Sequence, residues 1–121
     1  MKNFLSIAKE KILYQDQYFF IIKDTYPVSQ GHLLIISNAL RKDYFDLTLQ
    51  EQESLPAAIA QAKRLIEAEH APDGYNIGMN CGKHAGQTIF HFHCHIIPRY
   101  QGDMEDPAGG VRGVIPERRK Y

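Results

Sequence analysis

The sequence predicts an α+β domain: an antiparallel sheet of about five strands with one main helix packed on it. Three observations carry that expectation. Residues 18–23 and 32–37 are runs of aromatic, β-branched and other large apolar side chains, the composition of strands. Between Thr48 and about Glu69, apolar residues recur at helical spacing. Beyond that helix, residues 75–80 and 89–97 return to an alternation with a period of two. Strands, then a helix, then strands give a segregated α+β arrangement.

Taken in order, residues 2–11 mix apolar and charged side chains without strict alternation and suggest a short helix. Residues 12–14 read as a short strand, with a turn at Gln15, Asp16 and Gln17. After the strand at 18–23, residues 24–31 carry Asp24, Pro27, Ser29 and Gly31, all favoured in turns. The run from His32 to Ser37 is apolar enough for a central strand. Short connections among these strands imply an antiparallel meander.

Residues 38–45 form a polar connection. Thr48 and Glu51 then fit a capping box at a helix start. Leu55, Ile59, Ala62 and Ile66 share one helical face. Pro56 lies inside the run and predicts a kink or break, because it lacks an N–H and crowds the preceding turn. Ala71, Pro72, Asp73 and Gly74 end the helix. A strand at 75–80 leads through a glycine-containing loop, with Lys83 and His84, into the last strand. Residues 101–110 are rich in Asp, Pro and Gly and read as a mobile excursion. Residues 111–115 are apolar again and must pack on their own domain or on another subunit. The chain, 1–121, is therefore read as a single domain with 101–121 a partly flexible tail.

Composition narrows the function classes. A chain of 121 residues builds one core and is too short for two ordinary domains. Fourteen basic residues balance fourteen acidic ones, so no long-range attraction to nucleic acid or an anionic membrane is expected. No window is long and apolar enough to span a bilayer. Charge interrupts the first ten residues too early for a secretion signal. Cys81 and Cys94 are accordingly read as reduced thiols in a cytoplasmic protein.

The stretch with the most chemistry is residues 87–99. On a strand, His91, His93 and His95 would share one face with Ile89, spaced by roughly 7 Å per two residues. Phe90, Phe92, Cys94 and Ile96 would enter a core on the other face. Three of the chain's six histidines at alternate positions suggest a site that moves protons, binds metal or attacks an electrophile. A neutral imidazole attacks phosphorus when one ring nitrogen is held as N–H and the other is free, and His93 is the middle candidate. Residues 80–88 supply glycines, amides and a hydroxyl that can hold phosphate oxygens without adding negative charge. Two alternatives stand beside this. One is a metal site, with His-x-His on a strand completed by His95, His32 or Asp24. The other is a module that binds a nucleotide without cleaving it.

The run His91-Phe92-His93-Cys94-His95-Ile96-Ile97 resembles the signature of the histidine triad (HIT) family of nucleotide hydrolases and transferases, with Gly86-Gln87-Thr88 as its usual approach. The stretch from Asp24 to His32 is similar to the family's earlier loop, and Leu47-Thr48-Leu49-Gln50-Glu51 to its helix start. The resemblance covers about residues 12–99. It implies that His93 attacks the α-phosphorus of a nucleoside phosphoester, anhydride or phosphoramidate and forms a nucleotidyl-histidine, which water or another acceptor then releases. It implies that His91 and His95 contact phosphate oxygens as catalytic partners, and that a backbone carbonyl fixes the His93 tautomer. Asp24 would accept hydrogen bonds from ribose hydroxyls. Asn80, Gly86, Gln87 and Thr88 would position phosphate and leaving group, and His32 would sit behind the triad.

The resemblance further implies a branch like the diadenosine polyphosphate hydrolases, a homodimer and a small nucleotide substrate. No cofactor is required and no metal is held by the histidines, a divalent cation entering only with a polyphosphate substrate. Some family members carry N-terminal cysteines that bind structural zinc; Asn3-Phe4-Leu5-Ser6 has none, so no zinc is expected. Many have proline where this chain has Gln30, which should loosen that loop. The tail from Gly109 to Pro116 looks like that of bacterial members. In a two-fold dimer it would lie on the other subunit and bring Arg112 near a polyphosphate.

Overall fold

The computed structural model describes residues 3–121. Met1 and Lys2, which open the segment read above as a short helix and as too charged for a secretion signal, lie outside the described residues. The strands are β1 (Tyr14–Gln15), β2 (Phe19–Lys23), β3 (Leu33–Ser37), β4 (Gly74–Gly78) and β5 (His93–Arg99). They form one sheet in the order β1-β2-β3-β5-β4, every neighbour antiparallel. The single α-helix among the described residues, α1 (Leu49–Glu67), follows β3 and precedes the β4–β5 pair. Among the described residues no helix is long and apolar enough to cross a membrane.

Both faces of the sheet are covered, which explains why β2 and β3 read as unbroken apolar runs. On one face Phe19, Ile21, Leu33, Ile35, Cys94 and Ile96 pack against Leu55, Ala58, Ala62 and Ile66 of α1. On the other, Phe20, Ile22, Leu34 and Ile36 are covered by Phe4, with Ile7, Ile12 and Ile89 alongside. The cover on that second face is the N-terminal segment. The helix expected there is reduced to one 3-10 turn, Lys9–Lys11, and Phe4 lies against the sheet ahead of it.

The helix starts where the capping box predicts. The Thr48 hydroxyl accepts the Glu51 N–H at 3.1 Å, and the Glu51 carboxylate accepts the Thr48 N–H at 2.7 Å. Glu51 is buried and also accepts Arg41 Nε at 2.9 Å, which ties the connection after β3 to the helix. Pro56 does not break the helix, which runs unbroken from Leu49 to Glu67. Pro56 is exposed while Leu55 and Ala58 beside it are buried, so the lost N–H falls on the solvent side and the packed stripe holds the turn.

One expectation about side-chain placement is corrected. Phe90 does not enter the core: it is 40% exposed, with the Lys42 ammonium 5.9 Å from its ring centre. The cause is that β5 begins only at His93. Ahead of it the alternation lapses, and the Phe92 N–H donates to the Arg41 carbonyl at 2.6 Å. The tail, in turn, folds on itself through 3-10 turns at Gly110–Val114 and Pro116–Arg118. The Arg119 guanidinium donates to the Ala108 carbonyl at 2.8 Å. Gly109 has φ of +91°, and a Cβ there would collide with the Arg119 carbonyl, so this closure requires glycine. Val111, Val114 and Ile115 remain exposed on this chain.

Replacing Thr48 by Ala removes the only side-chain acceptor for the Glu51 N–H while leaving the site untouched. Stability to urea should fall by about 1 kcal/mol, read as a lower unfolding midpoint at unchanged slope.

Candidate active site

A cleft of about 590 Å³ opens on the face away from α1. Phe4, Ile7 and Ile22 form its apolar wall, while Asp24, Asn80, Gly86, Thr88, His93 and His95 supply its polar edge. The β3–β5 register creates this arrangement. His93 stands opposite Ile36 and His95 opposite Leu34, so both imidazoles rise from the face that carries Ile36 and Leu34. Six residues singled out in the sequence thus meet in one cleft. His91, His32 and Gln87 are placed behind it.

The His93 Nδ1 lies 2.8 Å from the His91 carbonyl oxygen. A carbonyl only accepts, so Nδ1 carries the hydrogen and Nε2 keeps its lone pair. His95 is set by a longer chain. The Val28 N–H donates to His32 Nδ1 at 3.0 Å, so the His32 hydrogen sits on Nε2. That N–H points at His95 Nδ1, 2.9 Å away, and at Asp24 Oδ2, 3.3 Å away. His95 Nδ1 therefore accepts, and its own hydrogen is on Nε2. Burial first, then the neighbouring His93 and His32, pushes the His95 pKa down to about 4 against the pull of Asp24. The result is one imidazole with a free lone pair beside one neutral N–H donor.

His91 departs from the expected shared face. It precedes β5 and is fully buried. Its Nδ1 accepts the Phe4 N–H at 3.0 Å, and its Nε2–H donates to the Ser37 carbonyl at 2.8 Å. Both ring nitrogens are thus spent inside the protein, and burial lowers its pKa. Gln87 is buried too. Its side-chain oxygen accepts the Gly82 N–H at 2.8 Å, and its amide donates to the Lys42 carbonyl at 2.7 Å and the Ile89 carbonyl at 3.2 Å. It braces the loop whose other members, Asn80, Gly86 and Thr88, line the cleft. Gly86 takes φ of +96° as it leaves the 3-10 turn Lys83–Ala85. Asp24 Oδ1 accepts the Tyr26 N–H at 2.9 Å, closing the turn after β2. The Cys94 thiol faces the helix-side core, and burial pushes it up to about 12, so it stays protonated.

Asp24, His32 and His95 also bring three potential metal-ligand atoms within 4.8 Å of one another. The hydrogen bonding around them does not suit a cation. A ligating histidine donates its other ring N–H outward. Here the Val28 N–H already points at His32 Nδ1, so a hydrogen moved there to free Nε2 would face another donor.

Three features escaped the sequence reading. Ile22 was within reach, since β2 alternation puts it on the face of Phe20. Phe4 sits in a short charged stretch with no period, and the Val28 donor is backbone; neither leaves a signal in residue types.

Comparisons with known proteins identify the family. The HIT domain family profile matches residues 6–102. The AP-4-A phosphorylase of Mycobacterium tuberculosis (strain ATCC 25618 / H37Rv) is 33% identical over 116 residues, which is 93% of this chain and 56% of that protein. The purine nucleoside phosphoramidase of Escherichia coli (strain K12) is 34% identical over 87 residues, 71% of this chain and 73% of that protein. Among solved structures, a HIT family protein from Bacillus anthracis superposes with a TM-score of 0.71 at 35% identity, covering 77% of this chain and 66% of that one. The chain belongs to the HIT domain family. It spans little more than half the length of the mycobacterial phosphorylase.

The buried imidazoles make stability depend on pH. His32, His91 and His95 are each held below the ordinary histidine value of 6.5, chiefly by burial. Below 6.5 the unfolded chain therefore binds more protons than the folded one, so stability is fully present above 6.5 and is lost as pH falls toward about 4. Thermal unfolding followed from pH 7 to 4 should show a falling midpoint. The slope should flatten in His95→Asn; an unchanged slope would mean that His95 titrates alike in both states.

Proposed function

We propose that this protein is a nucleotide hydrolase or nucleotidyl transferase, acting at the α-phosphate of a nucleoside phosphoanhydride or phosphoramidate through a nucleotidyl-His93 intermediate. The observation that carries this reading is the hydrogen bond from His93 Nδ1 to the His91 carbonyl, which leaves a nucleophilic Nε2 beside the His95 N–H donor. The names of the relatives, a phosphorylase and a phosphoramidase, support the reaction class.

In this reading the Nε2 lone pair forms a bond to phosphorus as the bond to the leaving group breaks. A phosphate leaving group departs with the electron pair; an amine leaving group takes its proton from solvent. The positive charge on the phosphorylated ring is shared with Nδ1–H, whose hydrogen stays on the His91 carbonyl. Neutral His95 donates a hydrogen bond to a phosphate oxygen without giving up its proton. Water or another acceptor then attacks phosphorus and gives up its proton to solvent, and the P–N bonding pair returns to Nε2. Phe4, Ile7 and Ile22 would hold a nucleobase by apolar contact. Asp24 still has lone pairs for ribose hydroxyls after its bonds to Tyr26 and His32. Asn80, Gly86 and Thr88 would hold phosphate, with Gln87 fixing their loop.

The same reading takes the protein as a homodimer. Exposed Val111, Val114 and Ile115, and the place of β4 as a terminal strand of the sheet, support it. Arg112 donates to the carbonyls of Arg118 and Arg119 and lies 4.7 Å from the centre of the Tyr121 ring, so its reach toward a polyphosphate would depend on the tail as a unit.

Replacing His93 by Ala should lower turnover of a dinucleoside polyphosphate and of an adenosine phosphoramidate by several orders of magnitude while nucleotide binding survives. Denaturing quench of the wild-type protein at alkaline pH, where a P–N bond survives, should trap an adenylate on the peptide that contains His93. Near-normal turnover by H93A would overturn the mechanism, and binding without turnover in the wild type would make the protein a binding module. Phosphoramidate turnover should persist in EDTA. Loss that zinc or iron restores would favour a metal mechanism.

A further inference from the structure

The geometry points to the N-terminal segment around Phe4 as a positioning element of the catalytic site: its backbone amide sets the His91 tautomer, and its ring braces the His93 imidazole. The inference rests on the reading of His93 as the nucleophile. Residue 4 lies outside residues 6–102, the span matched by the family profile.

Three contacts converge on this segment. The Phe4 N–H donates to His91 Nδ1 at 3.0 Å in a buried setting, 87 residues away along the chain. The Phe4 ring meets His91 edge-on, with centres 5.5 Å apart and planes at 62°. It meets His93 in the same way at 5.3 Å and 66°. Phe4 also forms cleft wall, so one residue touches the cleft, His93 and the histidine behind it.

The hydrogen bonds determine what this does. Because an N–H points at His91 Nδ1, that nitrogen cannot carry a hydrogen, and the one on Nε2 is free to bond the Ser37 carbonyl at the end of β3. His91 is thereby pinned between the N-terminal segment and the central strand. Its own carbonyl is the group that holds His93 Nδ1–H. The amide of Phe4 thus acts on His93 through two linked hydrogen bonds, and the ring acts on it directly. If the amide is removed, the Ser37 carbonyl alone holds the His91 ring, and the backbone carbonyl that aims His93 gains freedom to move. His91 is then a positioning residue for the proposed reaction, not a group that touches substrate.

Two substitutions separate amide from ring. Phe4→Leu loses the aromatic edge and keeps the N–H; Phe4→Pro loses both. F4L should raise KM and lower kcat, each by a few-fold, because the cleft wall is reshaped and the edge contact on His93 is lost. F4P should lower kcat further, by about tenfold to a hundredfold, the loss that a displacement of about 1 Å produces at a reacting group. Equal kcat in folded F4L and F4P would overturn the proposal. Nitrogen-15 NMR of the histidine rings in the wild-type protein decides the matter even if F4P does not fold. The expected His91 signal is a neutral ring with hydrogen on Nε2, and hydrogen on Nδ1 would overturn it. H93A in parallel keeps the two readings apart. Full activity there removes the nucleophile, while the NMR result tests the His91 tautomer on its own.

Discussion

The antiparallel pairing of β3 with β5 is the contact on which the remaining structure depends. Side chains alternate across a strand, so a slip of one residue would invert every one of them. In the observed register Cys94 and Ile96 face α1, and His93 and His95 face the cleft. Slipped by one, the imidazoles would enter the apolar core. The register is therefore held by the cost of burying two polar rings among Phe19, Ile21 and Ile35, as well as by the ladder hydrogen bonds. β3 is also the strand whose end accepts the His91 ring, at the Ser37 carbonyl. Strand pairing and histidine orientation are accordingly one constraint.

Much of the fold was legible because it rests on periodicity and local chemistry. The capping box at Thr48 and Glu51 fixed one helix end. The Leu55–Ile66 stripe identified its buried face, although Ala58 rather than Ile59 lies fully inside. Aromatic and β-branched residues marked β2 as a strand, and an unbroken apolar run marked β3 as central. The limits have physical reasons. Alternation from Ile89 to Ile97 looked like one strand, but hydrogen bonding starts it at His93, so Phe90 and His91 follow loop geometry instead. Pro56 carried a real penalty that packing on the opposite face outweighed. The candidate site was half legible. His93, His95, Asp24, Asn80, Gly86 and Thr88 gather in the cleft, while the bonds that orient them come from Phe4, Val28 and His91 backbone atoms, which residue types do not encode.

The sheet is insulated on each side by different means. A continuous helix covers one face, and a short irregular segment covers the other. The irregular cover allows a cleft, since it leaves the β5 end of that face open between Phe4 and the loop that ends at Thr88. A helix on both sides would have sealed it. Function and incomplete packing share the same surface here.

Among the described residues the cleft lining contains no lysine or arginine. Its donors are neutral: an imidazole N–H, amides and a hydroxyl. Attraction between full charges in a partly dry site is several kcal/mol, on the order of 4 kcal/mol at 4 Å in an environment of intermediate polarity. An anion held without such pairs is bound by dipoles in fixed directions, and its grip depends on geometry more than on charge. Such a lining recognises the shape of a tetrahedral oxyanion and then lets it go. In the proposed reaction, that choice of side chains favours rapid escape of a charged product.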